Sequence, residues 1–227
     1  MKTYIFLLTF LPFFAFGQTE VMRKQPRDYS QHSNWGQNRA HHLQGYLGLG
    51  FYTPISTPNR DFKIGNSYDF GFGAIYRYRM ANFVNLGMGL GFLFQEVNLN
   101  DKGMVKAWDT QLHDKAKVSN ILLSVKPFIR LNLSPKRGDY LGTFVDFGGF
   151  ADWNFYPTTS FTDKQGSQNY VQQYEFDKEQ ERIHYGAFAL IGRSWFRLEG
   201  SYYLSNWFKS NADFFMPRYK LTVVFGI

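Results

Sequence analysis

Residues 84–95 read VNLGMGLGFLFQ, and this stretch decides the fold. Large apolar side chains occupy every second position from Val84 to Phe94, and the positions between them hold mostly glycine with Asn85 and Gln95. A strict period of two over this length predicts a β-strand and excludes a helix. The large side chains lie mainly on the apolar face. The opposite face is rich in glycine and could not form a tight core. That face suits the narrow, polar interior of a barrel.

The same alternation recurs seven more times between Leu43 and the C-terminus. The predicted strands cover residues 43–53, 67–80, 84–98, 117–133, 140–154, 183–191, 195–204 and 217–227. The gaps between them alternate in length. Residues 54–66, 99–116, 155–182 and 205–216 form long gaps, and residues 81–83, 134–139 and 192–194 form short ones.

This alternation predicts an all-β fold, an eight-stranded antiparallel up-and-down transmembrane β-barrel of an outer membrane. Short turns would lie on the periplasmic side and long loops outside the cell, so both termini would be periplasmic. A soluble lipocalin-like barrel or sandwich is the competing fold. It is disfavoured because it would turn the apolar faces inward.

The N-terminus reads as an export signal covering residues 1–17. Lys2 precedes an apolar run, and Ala15-Phe16-Gly17 forms a small-x-small cleavage site. Residues 18–42 then form a polar segment, interpreted as a disordered periplasmic tail or, less favoured, as a docking segment for a periplasmic partner. Residues 43–227 form the barrel.

Composition limits the function further. The chain has 227 residues, no cysteine and a formal net charge of +7, and 20% of it is aromatic. No disulfide or thiolate metal site can form. The positive charge fits a surface facing lipid headgroups and lipopolysaccharide, and no nucleic-acid partner is expected for an exported barrel.

Three segments resemble a known family. The Ala-Phe-Gly-Gln cleavage region at residues 15–18 resembles exported proteins of Bacteroidota. The opening strand from Tyr46 to Pro54 and the final LTVVFGI at residues 221–227 resemble small outer-membrane β-barrel proteins of the PorT-like family. The resemblance implies a cell-envelope barrel with a link to type IX secretion. It transfers no functional residue.

Charged residues on the polar faces are the main candidate site. Acidic and basic side chains are both predicted to face the lumen: Asp69, Asp146, Asp152 and Glu199 with Arg77, Arg79, Lys126, Arg130, Arg197, Arg218 and Lys220. The favoured interpretation is a salt-bridge network that plugs the barrel, because buried charges need partners. In that network Lys126 and Arg130 pair with Asp146 or Asp152 and with Glu199. The alternative is a narrow, anion-favouring channel for small solutes.

Two histidine motifs raise other chemistry. His32-Ser33-Asn34 is similar to the motif of a barrel lipase that acts on lipid A, but its spacing and its position before the first strand do not fit, so a lipid-modifying enzyme is the second alternative. His41 and His42 are adjacent on an extended segment and would point apart, which disfavours a metal site. The sequence therefore predicts a non-enzymatic scaffold or interaction module without cofactor or metal. Its long loops are the candidate surface for envelope or secretion partners.

Overall fold

This computed structural model describes residues 33–53, 66–100, 115–134, 141–165, 168–209 and 217–227. The described residues contain nine strands and no α-helix. The strands are β1 His41–Thr53, β2 Tyr68–Arg79, β3 Val84–Asn100, β4 Lys115–Asn132, β5 Thr143–Gln165, β6 Gln168–Glu175, β7 Ile183–Arg193, β8 Phe196–Tyr203 and β9 Tyr219–Gly226. Residues Asn34–Ile227 form one unit by their contacts.

Eight of these strands close into a barrel. The order around it is β4-β3-β2-β1-β9-β8-β7-β5, and β4 pairs with β5 to complete the ring. Every pairing is antiparallel. Closure leaves the ring without free edges. The prediction of an eight-stranded antiparallel barrel is therefore confirmed.

The side-chain alternation places large apolar groups on the outside of the barrel. Leu47 and Leu49 of β1, Phe72 of β2 and Leu90 of β3 are all exposed, whereas Tyr46 points inward and is buried. The alternation in β7, whose phase the sequence left ambiguous, is regular, with even-numbered positions such as Phe188 inside. The exterior is thus a continuous apolar belt made by period-two patterning.

Exposed aromatic side chains border this belt at both ends. On the side of the short turns they are Trp35, Tyr78, Phe83, Trp195 and Phe196. On the side of the long gaps they are Tyr68, Trp153, Tyr185 and Tyr219. We call these two sets the lower and the upper aromatic girdle.

The segment 155–182, predicted as a loop, is largely strand. β5 continues to Gln165, beyond the predicted end at Asn154, and turns back as β6 to form a hairpin that pairs from Thr158↔Glu175 to Gln165↔Gln168. The Thr-rich stretch after Pro157, which includes Phe161, has high β-propensity, and β4 supplies a partner for it. The Gln- and Tyr-rich composition and the later charges led to the incorrect prediction of a loop.

Smaller differences concern boundaries. β1 begins at His41, so His41 and His42 belong to the barrel and not to the segment before it. The turn between β7 and β8 is Ser194-Trp195, where Ser194 adopts a left-handed φ of 56°. The ladder between β4 and β5 is interrupted at Lys126 and Pro127, since proline has no N–H to donate. The register shift between the two strands lies elsewhere, at Ile121/Leu122.

Other predictions fall outside the described residues. They concern the signal peptide, residues 18–32 and most of the long gaps 54–66, 99–116 and 205–216. In the described part of the chain, no helix is long and apolar enough to cross a membrane.

Candidate functional site

The barrel interior is the candidate site, and it is less polar than predicted. Inward-facing aromatic and aliphatic side chains fill much of it, and they form a buried cluster that includes Tyr52, Phe128, Phe144, Phe150, Phe188, Leu190 and Tyr203. The polar faces of the strands contribute these residues by parity, so a count of polar positions alone missed them. Charged groups are therefore held among apolar neighbours and shielded from solvent.

Arg130 and Asp146 form the best-defined ion pair of the interior. They face each other directly across β4 and β5, and two bonds join them: Nε to Oδ1 at 2.6 Å and Nη2 to Oδ2 at 2.7 Å. Both side chains are almost completely buried. The Arg130 guanidinium also lies 3.6 Å from the centre of the Phe144 ring. A planar fork on a carboxylate and an aromatic face is the geometry that favours arginine over lysine.

Two further ion pairs lie inside the barrel. Lys126 Nζ lies 2.7 Å from Glu199 Oε1, and Lys220 Nζ lies 2.7 Å from Asp69 Oδ2. Glu199 also accepts a bond from Ser201 Oγ at 2.8 Å. Both pairs link strands that are not neighbours: β4 and β8 are three steps apart around the ring, and β9 and β2 lie on either side of β1. We call these two pairs the strut layer, because they tie non-adjacent strands together inside the barrel. The Lys126–Glu199 pair follows the sequence-based hypothesis; the partner of Asp69 was not predicted.

A chain of neutral polar groups extends the struts toward the long gaps. Tyr52 Oη donates to Asp69 Oδ2 at 3.4 Å, Gln95 bonds to Tyr52, and Asn120 donates to Gln95 Oε1 at 2.9 Å. Asp152 does not form the predicted ion pair with Lys126 or Arg130. Its Oδ1 accepts a hydrogen bond from Ser124 Oγ at 2.5 Å.

The predicted network also included Arg77, Arg79 and Arg197, and in the described structure none of them pairs with a carboxylate. Arg77 donates to the backbone oxygen of Gln37, and Arg197 donates to the side-chain oxygen of Gln44. Arg79 bonds to Asn38, and it also donates to Asn82 Oδ1 at 2.7 Å near the short turn. The predicted network is thus three separate ion pairs plus arginines held by neutral oxygens. Arg218 lies before β9 and donates to Asn206 Oδ1.

The lower mouth is covered by the segment from Asn34 to Ala40. It turns back on β1 through bonds such as His41 N to Asn34 O at 2.9 Å, and its carbonyl oxygens receive the arginines of β2. Trp35 packs against the ring of His41, with ring centres 5.2 Å apart. This part of the segment 18–42 is therefore ordered, which corrects the interpretation of the whole segment as a disordered tail.

The upper mouth is covered by two segments that meet there. Asp177 accepts a bond from Thr159 Oγ1 at 2.7 Å, and Gln180 Nε2 donates to the same hydroxyl at 2.8 Å. Glu181 N then donates to Trp207 O at 2.9 Å. Trp207 is 2% exposed and lies over the lumen beside Tyr52. These residues were predicted to be in solvated loops, and no local pattern distinguishes them.

The enclosed space between these covers is small. A cavity of about 40 Å³, lined by groups from both the strut layer and Asp146, lies inside the barrel. A single water needs about 10–15 Å³ by this measure, so the cavity holds a few waters. A continuous aqueous path is not seen among the described residues.

Of the two histidine motifs, the structure describes His41-His42 completely and His32-Ser33-Asn34 only in part. His41 Nδ1 meets Tyr76 Oη at 2.7 Å on the outside, whereas His42 is buried on the inside, so the adjacent side chains point apart. The described residues contain no group of three or more His, Asp or Glu side chains placed to hold a metal ion. His32 of the His32-Ser33-Asn34 motif lies outside the described residues.

No protein-family model matches this chain, and no curated protein is similar to it.

Proposed function

We propose that the protein is an outer-membrane β-barrel that does not conduct solutes and serves as a scaffold or interaction module of the cell envelope. The observation that carries this proposal is the apolar belt with an aromatic girdle at each end. Soluble proteins rarely expose contiguous apolar patches larger than a few hundred Å². Outer-membrane barrels present such a band to lipid, with aromatic rings at the two interfaces.

The filled interior supports a structural role over transport. Three ion pairs, a core of aromatic side chains and a cover at each mouth occupy the lumen. An eight-stranded barrel is only wide enough for its own side chains. The alternative, a narrow channel for small solutes, would need both covers to move.

Conductance in planar bilayers is the direct test. The purified, refolded protein is expected to insert into lipid and to shift in unheated electrophoresis as a folded barrel. It is expected to give no steady current, because aromatic side chains and ion pairs fill the described part of the lumen. A steady, anion-selective current would support the channel instead. Failure to associate with lipid vesicles would refute the membrane assignment.

The interaction role rests on the hairpin of β5 and β6. Among the described residues, β5 is the one strand with which β6 forms a ladder, so β6 is an edge strand. Tyr170, Val171 and Tyr174 of this strand are exposed, and its only charged residue is Glu175 at the end. An edge strand of this kind can accept an extended segment of a partner protein as an additional strand.

Proline substitution tests this edge. Successive β6 residues direct their N–H groups alternately toward β5 and away from it. Of Val171→Pro and Gln172→Pro, one is expected to remove an N–H that points away from β5 and to abolish a photo-crosslink formed from position 173, while the barrel still folds. A crosslinker at Tyr185 in the upper girdle is the matched control. Crosslinks that survive both prolines would refute strand addition, and an adduct of twice the mass would identify a second copy as the partner.

A link to type IX secretion remains a prediction carried by the sequence resemblance alone. Deletion of the protein is then expected to block export of type IX cargo. Normal export in the deletion strain would remove this link without affecting the barrel proposal.

A further inference from the structure

Three arginines and one carboxylate lie together in the lower part of the lumen. Arg77, Arg130 and Arg197 are each 3% exposed or less, and Asp146 is 2% exposed. Strand register places Arg130 opposite Asp146 and, on its other side, opposite Asn85. Arg197 lies beside Arg130, since their guanidinium groups are 6.0 Å and 3.6 Å from the centre of the same Phe144 ring. The three guanidinium groups are close enough to interact electrostatically with one another.

Several donor and acceptor atoms of this cluster form no hydrogen bond in the described structure. In the described structure, Arg77 Nε, Arg197 Nε, Arg197 Nη1 and both amide atoms of Asn85 are buried and have no partner. Arg130, in contrast, has two bonds to Asp146. Buried donors that remain unpaired destabilise the folded state, and charged donors do so most.

The charge of the cluster is also unbalanced. Three guanidinium groups stay protonated in proteins, and Asp146 compensates one of them. Glu199 is the other carboxylate near Arg197, but Lys126 already pairs with it at 2.7 Å. The oxygens that receive Arg77 and Arg197 belong to a backbone carbonyl and an amide, which carry no net charge. Water could satisfy the free donors, but water cannot supply the missing negative charge.

We propose that this cluster is a binding site for a small inorganic anion, held between Arg77 and Arg197 with Asn85 as an additional donor. The anion supplies the negative charge and accepts the unpaired N–H groups at once. Its size is limited because the four residues are buried and the segment Asn34–Ala40 covers the lower mouth; the cavity of about 40 Å³ touches this cluster only at Asp146. A halide fits these limits best, and a phosphate-sized oxyanion is the upper bound.

Thermal unfolding of the detergent-solubilised protein tests the site. The unfolding midpoint is measured in chloride, bromide, phosphate and the bulky anion gluconate at equal ionic strength. Chloride and bromide are expected to raise the midpoint above the gluconate value, and the increase should follow the logarithm of their concentration, as for a ligand that binds only the folded state. A response to phosphate as well would show an oxyanion site.

Matched variants separate binding from general salt effects. Arg197→Gln and Arg77→Gln are each expected to lose the anion-dependent increase. Arg193 is an exposed arginine at the lower end of β7, next to the start of β8 where Arg197 lies. The variant Arg193→Gln is expected to retain the anion-dependent increase. An equal response in wild type, Arg197→Gln and Arg77→Gln would overturn the proposal.

Crystals of the wild-type protein grown in bromide supply a readout that does not depend on the folding of any variant. An anomalous peak between Arg77 and Arg197 is expected. Density for water only at this place would overturn the proposal.

Discussion

Leu90→Arg is expected to abolish assembly of the barrel into the outer membrane. Leu90 lies near the middle of the part of β3 that pairs with β2, and its side chain is 48% exposed on the apolar belt. An arginine on the lipid face costs about 2–4 kcal/mol at the midplane and about 0–1 kcal/mol near the interfaces. The loss arises from placing a charge in hydrocarbon, since the strand pairing is unchanged.

Two controls make this result specific. Leu43→Arg places the same charge at an exposed leucine at the lower end of β1, where a mild effect is expected. Gly89→Ser alters the neighbouring inward position, where a Cβ atom would meet Lys126 and Ile75 at ordinary contact distances of 3.5 and 3.7 Å. The amount of folded protein in outer-membrane fractions, read from unheated electrophoresis, compares the three variants. A fully assembled Leu90→Arg protein would mean that the belt does not face lipid.

Asp146→Ala is expected to lower the free energy of unfolding by about 3–5 kcal/mol, the usual cost of removing one partner from a buried ion pair. It leaves Arg130 buried, and it removes the carboxylate that balances the lower arginine cluster. The double variant Asp146→Ala/Arg130→Met is expected to be more stable than Asp146→Ala, because the second change removes the unpaired charge. Urea unfolding in lipid vesicles measures all of these values.

The pair between Lys117 and Glu96 provides the control. Its side chains are 42% and 28% exposed, although its distance of 2.7 Å is close to the 2.6 and 2.7 Å of the lumenal pairs. Glu96→Ala is therefore expected to cost about 0–1 kcal/mol, as for exposed ion pairs. If Asp146→Ala also costs less than 1 kcal/mol, the ion pairs are not structural supports of the barrel.

The sequence predicted those parts of the fold that depend on the period of two in the strands. Alternation in residues 84–95 and its seven repeats determines which side of each strand faces out, because successive β-residues point to opposite faces. The same parity placed Lys126, Arg130, Asp146 and Glu199 inside. Strand adjacency indicated that Arg130 pairs with Asp146 or Asp152, and the structure shows Asp146. These are local or nearest-neighbour properties, so the sequence was sufficient for them.

Contacts between distant segments were decided only by the tertiary structure. The strut from Lys220 to Asp69 joins residues 151 positions apart, and Arg197 reaches Gln44 across the β8-β9-β1 side of the wall. The covers formed by Asn34–Ala40 and by Gln180 with Trp207 have no periodic pattern. Which inward-facing charges meet depends on the stagger of the strands around the closed barrel, and that stagger is set when β4 pairs with β5. Parity along one strand predicts a face, whereas the partner on that face follows only from closure.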